Sequence, residues 1–168
     1  AEMAFRAAMT GHQVYSTLHT NSAIGALPRL LDIGVLPDIM SGNMIGIVAQ
    51  RLVRTVCTFC REAYTPDDFE KRLLQVDTHA VVQVYRAVGC PKCEHQGYKG
   101  RMTVMEILKL DADLDELISR RASMREIRQL ALAKGFVPLA NDACRRVLDG
   151  KTTLDEIARV VDLTDRVS

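Results

Sequence analysis

The apolar side chains of the 168-residue chain recur at helical spacing in some stretches and alternate with polar ones in others. Residues 1–11 have helical spacing, and Gly11 is a residue type at which helices commonly stop, so a helix is predicted up to that glycine. Residues 12–20 (HQVYSTLHT) instead alternate β-branched or aromatic residues with polar ones, which predicts a strand.

A second helix is predicted within residues 21–34. Asn21 or Ser22 is a suitable N-cap, because a short polar side chain can accept a hydrogen bond from an unpaired N–H group of the first turn. Gly34 is a suitable end for this helix, and Pro28 marks a place where it can kink.

The central part of the chain mixes the two patterns. Residues 36–50 keep helical spacing despite two glycines, which predicts another helix. Residues 51–56 (RLVRTV) and 97–110 (GYKGRMTVMEILKL) alternate as strands do. Between these strands, residues 67–75 have the spacing of a short helix.

From Asp111 onward the pattern is helical throughout. Four short helices are predicted, and most have an acidic residue in the first turn, where the helix dipole favours it. They lie within residues 111–121, 123–135, 138–150 and 152–161. The order of elements predicts an incomplete α/β domain with two appendages, one cysteine-rich and one helical.

Composition excludes some classes of function. The 22 Lys and Arg residues nearly balance the 21 Asp and Glu residues, and only 5% of residues are aromatic, so the basic and stacking surfaces of a nucleic-acid binder are not expected. No apolar run reaches the roughly 18 residues that a membrane span needs. We therefore expect a globular, cytosolic protein with no nucleic-acid partner.

Four of the five cysteines form two CxxC motifs, Cys57 with Cys60 and Cys90 with Cys93, separated by 29 residues. Stable disulfides are disfavoured in a reducing compartment, and paired CxxC motifs more often bind zinc. Two such motifs supply four thiolates, which predicts a closed, structural zinc site without a catalytic position. A metal-free thiol cluster and a redox CxxC remain alternatives. Cys144 lies at helical spacing and is predicted to be a buried core thiol.

The stretch TGHQVYSTLHTN has His12 before the predicted strand and His19 at its end. A strand that ends in polar residues just before a helix N-terminus is a place where α/β proteins bind ligands, and the helix dipole there favours an anion such as phosphate. A lone histidine in a strand is also a common core residue, so the chemistry alone leaves both interpretations open.

This stretch resembles the histidine box of the secretion ATPase superfamily, the hexameric motors of type II secretion and type IV pilus assembly. The resemblance covers essentially the whole chain, and the tetracysteine motif is similar to the branch that drives secretion and pilus assembly rather than pilus retraction. Further blocks match in order: RLLDIGV, AQRLVRTVCTFC, GCPKC, GYKGRMTVMEIL and DGKTTLDEIARV.

The resemblance implies an α/β fold, the C-terminal part of a RecA-like P-loop ATPase domain with a tetracysteine zinc subdomain and a C-terminal helical module. The expected divisions are residues 1–56 for the partial RecA-like core with the histidine box, 57–100 for the zinc-binding subdomain, and 101–168 for a return strand and the helical module. It also implies structural zinc, and ATP with magnesium in the full-length protein.

The resemblance further implies that His19 lies near the γ-phosphate and couples hydrolysis to movement, with His12 as a second candidate. A neutral imidazole can donate a hydrogen bond to a phosphate oxygen, and loss of the γ-phosphate would release the loop. Thr17 and Thr20 add hydroxyl groups at the same end and are candidate nucleotide contacts, although Thr17 can equally be an ordinary strand residue.

One family motif does not occur in these 168 residues: there is no GxxxxGK[ST] loop to hold the phosphates. The chain also opens in a helical pattern and does not begin with a methionine. We therefore expect a C-terminal fragment of the motor that is inactive alone.

The resemblance implies other subunits of a homohexamer as partners, together with platform and adaptor proteins that hold a cytoplasmic motor at the inner membrane. A stand-alone zinc-knuckle module that binds other proteins is the alternative. Arg51 and Arg54 flank Leu52 and Val53 on a predicted strand; a solvated face is the simplest interpretation, with phosphate or a neighbouring subunit as others.

Overall fold

The computed structural model describes residues 1–166 and contains both helices and strands, which confirms the α/β class. No helix in this range is long and apolar enough to cross a membrane. The helices are α1 (Glu2–Met9), α2 (Ala26–Asp32), α3 (Pro37–Met40), α4 (Asp68–Leu74), α5 (Ala112–Ser119), α6 (Met124–Ala133), α7 (Leu139–Leu148) and α8 (Leu154–Ala158). The strands are β1 (Gly46–Val56), β2 (Glu62–Tyr64), β3 (Val84–Arg86) and β4 (Tyr98–Lys109).

The longest strands, β1 and β4, pair in a two-stranded sheet. Leu110 N donates to Ile45 O (3.1 Å) at one end, and Cys57 N donates to Gly97 O (2.9 Å) at the other. The start of one strand therefore faces the end of its partner, so the two run antiparallel. A smaller antiparallel sheet joins β2 to β3 with Ala63 opposite Tyr85.

The chain forms two compact units, and the boundary between them falls within β1 and within β4. Unit 1 comprises Ala1–Ala49 and Glu106–Val137, and unit 2 comprises Gln50–Met105 with the described residues from Pro138 onward. The helices after Asp111 therefore pack into two different cores, α5 and α6 in the first, α7 and α8 in the second.

The core of unit 1 consists of apolar side chains, mostly aliphatic, from α1, α2, α3, β1, β4, α5 and α6 and from the turns beside α2. Its most deeply buried members include Leu27, Met40, Leu108, Leu114 and Ile127. The helices begin where local caps allow: Asp111 accepts a hydrogen bond from Leu114 N (3.1 Å) at α5, and Ser123 and Glu126 form a capping box at α6.

The core of unit 2 has Val53, Val84, Val104, Val147 and Ile157 at its centre. A capping box of Asp67 and Glu70 begins α4 within the segment that separates the two CxxC motifs, which confirms the helix predicted there. Cys144 is 2% exposed in this core, as predicted, and burial raises the pKa of its thiol.

The strand predicted over residues 12–20 is wrong, because these residues adopt no regular secondary structure. Alternation shows only that a segment suits a half-buried strand; a strand also needs a neighbour for its N–H and C=O groups. The two sheets formed by residues 1–166 consist of β1 with β4 and β2 with β3, so neither includes this segment.

Two predicted helices are shorter than expected. α2 begins only at Ala26, and Pro28 lies in its first turn, where the missing N–H group is not needed, so the predicted kink is wrong. The helix predicted over residues 36–50 ends at Met40, because Gly42 adopts a positive φ of 73°, and residues from Gly46 onward pair with β4 instead.

Candidate metal centre and histidine segment

The sulfur atoms of the two CxxC motifs lie together, all within 4.8 Å of one another. Cys57 Sγ is 4.0 Å from Cys90 Sγ, and Cys93 Sγ is 3.8 Å from the sulfurs of both Cys60 and Cys90. All four side chains are free thiols, since a disulfide would bring two sulfurs to about 2.05 Å.

These distances match the edges of a small coordination tetrahedron. Four thiolates at the usual Zn–S distance of about 2.3 Å would be separated from one another by about 3.8 Å. The cluster can therefore hold a tetrahedral metal ion with little movement. The group that would bind the ion consists of the four cysteines.

Local turns aim the thiols at a common point. Cys57 follows β1 directly, and its carbonyl oxygen accepts hydrogen bonds from Cys60 N (3.4 Å) and Arg61 N (3.0 Å). The second motif bends through a single 3₁₀ turn over Pro91–Cys93, in which Cys93 N donates to Cys90 O (3.1 Å). Pairing of β2 with β3 brings the two motifs together across the 29-residue spacer.

Backbone N–H groups point at two of the sulfurs. Gly89 N donates to Cys60 Sγ (3.3 Å), while Cys90 N and Gly97 N donate to Cys93 Sγ (both 3.2 Å). Burial raises the pKa of the Cys93 thiol, but these two N–H donors and neighbouring thiols outweigh it and lower the pKa to about 6. At Cys60, burial together with hydrogen bonds to the other thiols raises the pKa to about 11. The fold therefore favours thiolate at Cys93, and the thiolate is the form that binds metal.

Arg54 is half-buried and its guanidinium contacts two side chains of the protein, so a purely solvated face does not describe this residue. Its guanidinium lies 4.0 Å from the centre of the Tyr98 ring and donates from Nε to Glu156 Oε2 (2.8 Å). Arg54 N also donates to Glu156 Oε1 (2.9 Å), and the Glu156 side chain is only 6% exposed. The partners are 102 residues apart in the sequence, a separation at which no local pattern could predict the pair.

Removal of this carboxylate should destabilise unit 2. Glu156→Ala leaves the Arg54 backbone N–H and guanidinium without their acceptor, and we expect the free energy of unfolding to fall by about 2 to 3 kcal/mol. The loss should not be larger, because Arg54 is partly exposed and water can replace part of the lost interaction. Urea unfolding measures the loss. Glu2→Ala is the matched control, since Glu2 pairs with Arg6 on the surface and should cost less than about 0.5 kcal/mol. Equal losses of stability in the two variants would contradict the stabilising role of the Glu156–Arg54 pair.

The same pair has a predictable pH dependence. Burial raises the pKa of Glu156, but the hydrogen bonds and charge of Arg54 outweigh it, so the pKa lies below its ordinary value. The stability that the pair contributes is therefore complete above about pH 4.3, the ordinary pKa of glutamate, and is lost as the pH falls through the lowered value. In Glu156→Ala this part of the acid dependence should be missing from urea titrations at graded pH.

His12, Thr17, His19 and Thr20 all lie in the irregular segment between α1 and a turn over residues 22–25. The first three are exposed, and Thr20 is half-buried. His12 Nδ1 lies 3.1 Å from Thr10 Oγ1, and the Thr20 hydroxyl donates to Ser22 O (3.1 Å). The imidazole of His19 is therefore accessible to a ligand.

A buried carboxylate that the sequence gave no reason to single out lies next to this segment. Glu106, in β4, is 5% exposed, and its Oε1 accepts a hydrogen bond from Ala23 N (2.5 Å). The two residues are 83 positions apart, so no local sequence pattern indicates this pair.

Arg51 is half-buried on β1 and donates from its guanidinium to Gln50 O (2.9 Å). A solvated face, a contact with phosphate and a contact with a neighbouring subunit all stay predictions for Arg51.

Comparison with known proteins identifies relatives for nearly the whole chain. A family model described as type II/IV secretion system protein matches residues 1–159. The type II secretion system protein E of Pseudomonas aeruginosa is 44% identical over 160 residues. The type IV pilus assembly ATPase TfpB of Acinetobacter baylyi is 41% identical over 166 residues, and the type IV pilus assembly ATPase PilB of Thermus thermophilus is 39% identical over 165 residues.

The matches cover 95 to 98% of this chain but a smaller share of each relative. The matched region is 32% of the Pseudomonas protein, 28% of the Acinetobacter protein and 19% of the Thermus protein. The chain thus spans about a third or less of the length of these relatives.

Proposed function

Because this chain belongs to the type II/IV secretion system protein family, we propose that it is the C-terminal part of a motor ATPase that powers protein secretion or pilus assembly. The observation that carries the proposal is the match over residues 1–159 together with relatives of 39 to 41% identity that are named pilus assembly ATPases. A stand-alone zinc-knuckle module is not favoured, because the match extends far beyond the cysteines.

In the motor, residues 1–56 would contribute to a RecA-like nucleotide-binding domain. His19 would lie near the γ-phosphate of ATP bound with magnesium, with His12 as the second candidate. The exposed imidazole of His19 supports this role, since it is free to donate a hydrogen bond to a phosphate oxygen. The hydroxyl groups of Thr17 and Thr20 would add polar contacts to the nucleotide.

Cys57, Cys60, Cys90 and Cys93 would hold one structural zinc ion. Three sulfur–sulfur distances of 3.8 to 4.0 Å, with all four sulfurs within 4.8 Å of one another, and the N–H donors to Cys60 and Cys93 support zinc bound by four thiolates. A metal there would cross-link β1, the β2–β3 sheet and the start of β4, and it would take no part in hydrolysis.

The glycine before Cys90 should be essential for this site. Gly89 has φ of 115°, and a Cβ atom there would lie 2.6 Å from His95 O, so Gly89→Ala must shift the N–H group that donates to Cys60. We expect zinc affinity to fall about 10- to 100-fold in competition with a chromophoric chelator. Gly100→Ala is the control, because its φ of 81° is equally unfavourable but its Cβ would meet nothing within 4 Å. Unchanged affinity in Gly89→Ala would contradict the predicted site.

The motor is proposed to work as a cytoplasmic homohexamer held at the inner membrane by platform and adaptor proteins, without nucleic acid. The near balance of charge over the chain supports the last point.

The direct test of the proposal compares ATP hydrolysis by the full-length protein and by residues 1–168 alone. We expect steady, magnesium-dependent phosphate release from the full-length protein and none above background from residues 1–168, because this sequence contains no phosphate-binding loop. No hydrolysis by the full-length protein would contradict the proposed ATPase function. Hydrolysis by residues 1–168 that His19→Ala abolishes would contradict the expectation that these residues are inactive alone.

A further inference from the structure

The irregular segment that contains both candidate histidines, residues 12–20 (the histidine segment), is followed by two buried residues of the unit 1 core. Residues 12–19 are all exposed, whereas Ala23 is fully buried and Ile24 is 9% exposed. The N–H group of Ala23 donates to the buried carboxylate of Glu106. This hydrogen bond lies four residues after His19 and therefore fixes the point from which the segment extends.

Further hydrogen bonds restrain the backbone between His19 and α2. Thr20 Oγ1 donates to Ser22 O (3.1 Å), and Gly25 N donates to Ser22 Oγ (3.0 Å). At the far end of the segment, His12 N donates to Ala7 O (3.1 Å) and so ties the chain to the end of α1. The exposed residues therefore lie between two hydrogen-bonded points: His12 N is held by a backbone carbonyl, and Ala23 N is held by the charged side chain of Glu106.

A carboxylate is a costly group to place at this position. Burial of an ionised group is unfavourable unless hydrogen bonds compensate it, and a neutral core could hold a turn without one. A carboxylate oxygen is, however, a stronger acceptor for a backbone N–H than a neutral oxygen, and β4 holds it on a rigid element. The arrangement suits a role in which the position of Ala23 must be held closely.

We propose that Glu106 is a positioning residue for the histidine segment, which sets where His19 meets the nucleotide by holding Ala23 N. The inference rests on the proposed function, and it adds a residue that does not itself touch nucleotide. Displacement of a catalytic segment by about 1 Å can lower a rate about 100-fold.

Two conservative variants of the full-length protein separate position from charge. Glu106→Asp keeps the charge but withdraws the acceptor oxygen by one methylene, and Glu106→Gln keeps the reach but removes the charge. We expect Glu106→Asp to lower kcat about 10- to 100-fold with KM for ATP within about threefold. Glu106→Gln keeps a weaker acceptor at the same place, so it should lower kcat by about threefold or less. Hydrogen exchange at Ala23 N should be faster in Glu106→Asp only.

Glu156→Asp is the matched control, because Glu156 is also 5% exposed and also accepts a backbone N–H, that of Arg54. It should lower the melting temperature without changing kcat at temperatures where the protein is folded. A normal kcat in Glu106→Asp, or equal losses in Glu106→Asp and Glu106→Gln, would overturn the positioning role while hydrolysis by the parent protein and loss of turnover in His19→Ala still upheld the proposed function. An inactive parent protein would instead overturn the proposed function.

Discussion

Chelation of the metal is expected to unfold the region around the tetracysteine cluster while unit 1 keeps its helices. Structural zinc contributes on the order of 10 kcal/mol to the folding of small metal-binding regions. Here the segment between the motifs contains two strands of three residues each and the seven-residue α4, and an isolated pair of short strands is marginal in water. Within residues 1–166, the core of unit 1 contains no residue of this segment, so its helices do not depend directly on the metal.

Metal analysis and far-UV circular dichroism before and after chelation test this result. One zinc per chain is expected, with partial loss of ellipticity on its removal. Cys60→Ser should lower bound zinc in the same way, and Cys144→Ala, which removes a buried thiol outside the cluster, should leave it unchanged. Protein purified without chelator that holds no zinc would rule out the metal centre.

His19→Ala in the full-length motor is expected to lower ATP turnover about 100-fold or more and to change ATP affinity only a few-fold. An interaction made mainly in the transition state lowers kcat and kcat/KM together, and loss of one donor to developing charge typically costs this much. His19 is exposed in unit 1, so its replacement should change stability by less than about 0.5 kcal/mol.

His79→Ala is the matched control for this substitution, because His79 is also exposed but lies between the CxxC motifs in unit 2. The His79→Ala variant should hydrolyse ATP at the parental rate. A His19→Ala variant that melts normally and hydrolyses ATP at the parental rate would remove His19 from the mechanism, and one that loses activity only as it unfolds would make it a structural residue.

The features predicted correctly from the sequence are those that local chemistry determines. The capping boxes at α4 and α6 need only residues three apart, and helices form at both places. The tetracysteine cluster followed from spacing, because two CxxC turns can each aim a pair of thiols at one ion.

The features that the sequence did not predict depend on partners far along the chain. Glu106 with Ala23 and Glu156 with Arg54 join residues 83 and 102 positions apart, and nothing near either residue indicates its partner. The strand expected over residues 12–20 failed for the same reason, because alternation indicates a suitable face but does not supply a neighbouring strand.

Hydrogen exchange of residues 12–20 in the full-length protein tests most directly whether this segment responds to the γ-phosphate. In the present structure, residues 12–19 are exposed and outside both sheets, so their amides should exchange fast without nucleotide. We predict strong protection of the amides around His19 with a non-hydrolysable ATP analogue and little with ADP, because only the triphosphate offers the oxygen that His19 would bind. Equal exchange with both nucleotides would contradict a role for His19 in sensing the γ-phosphate.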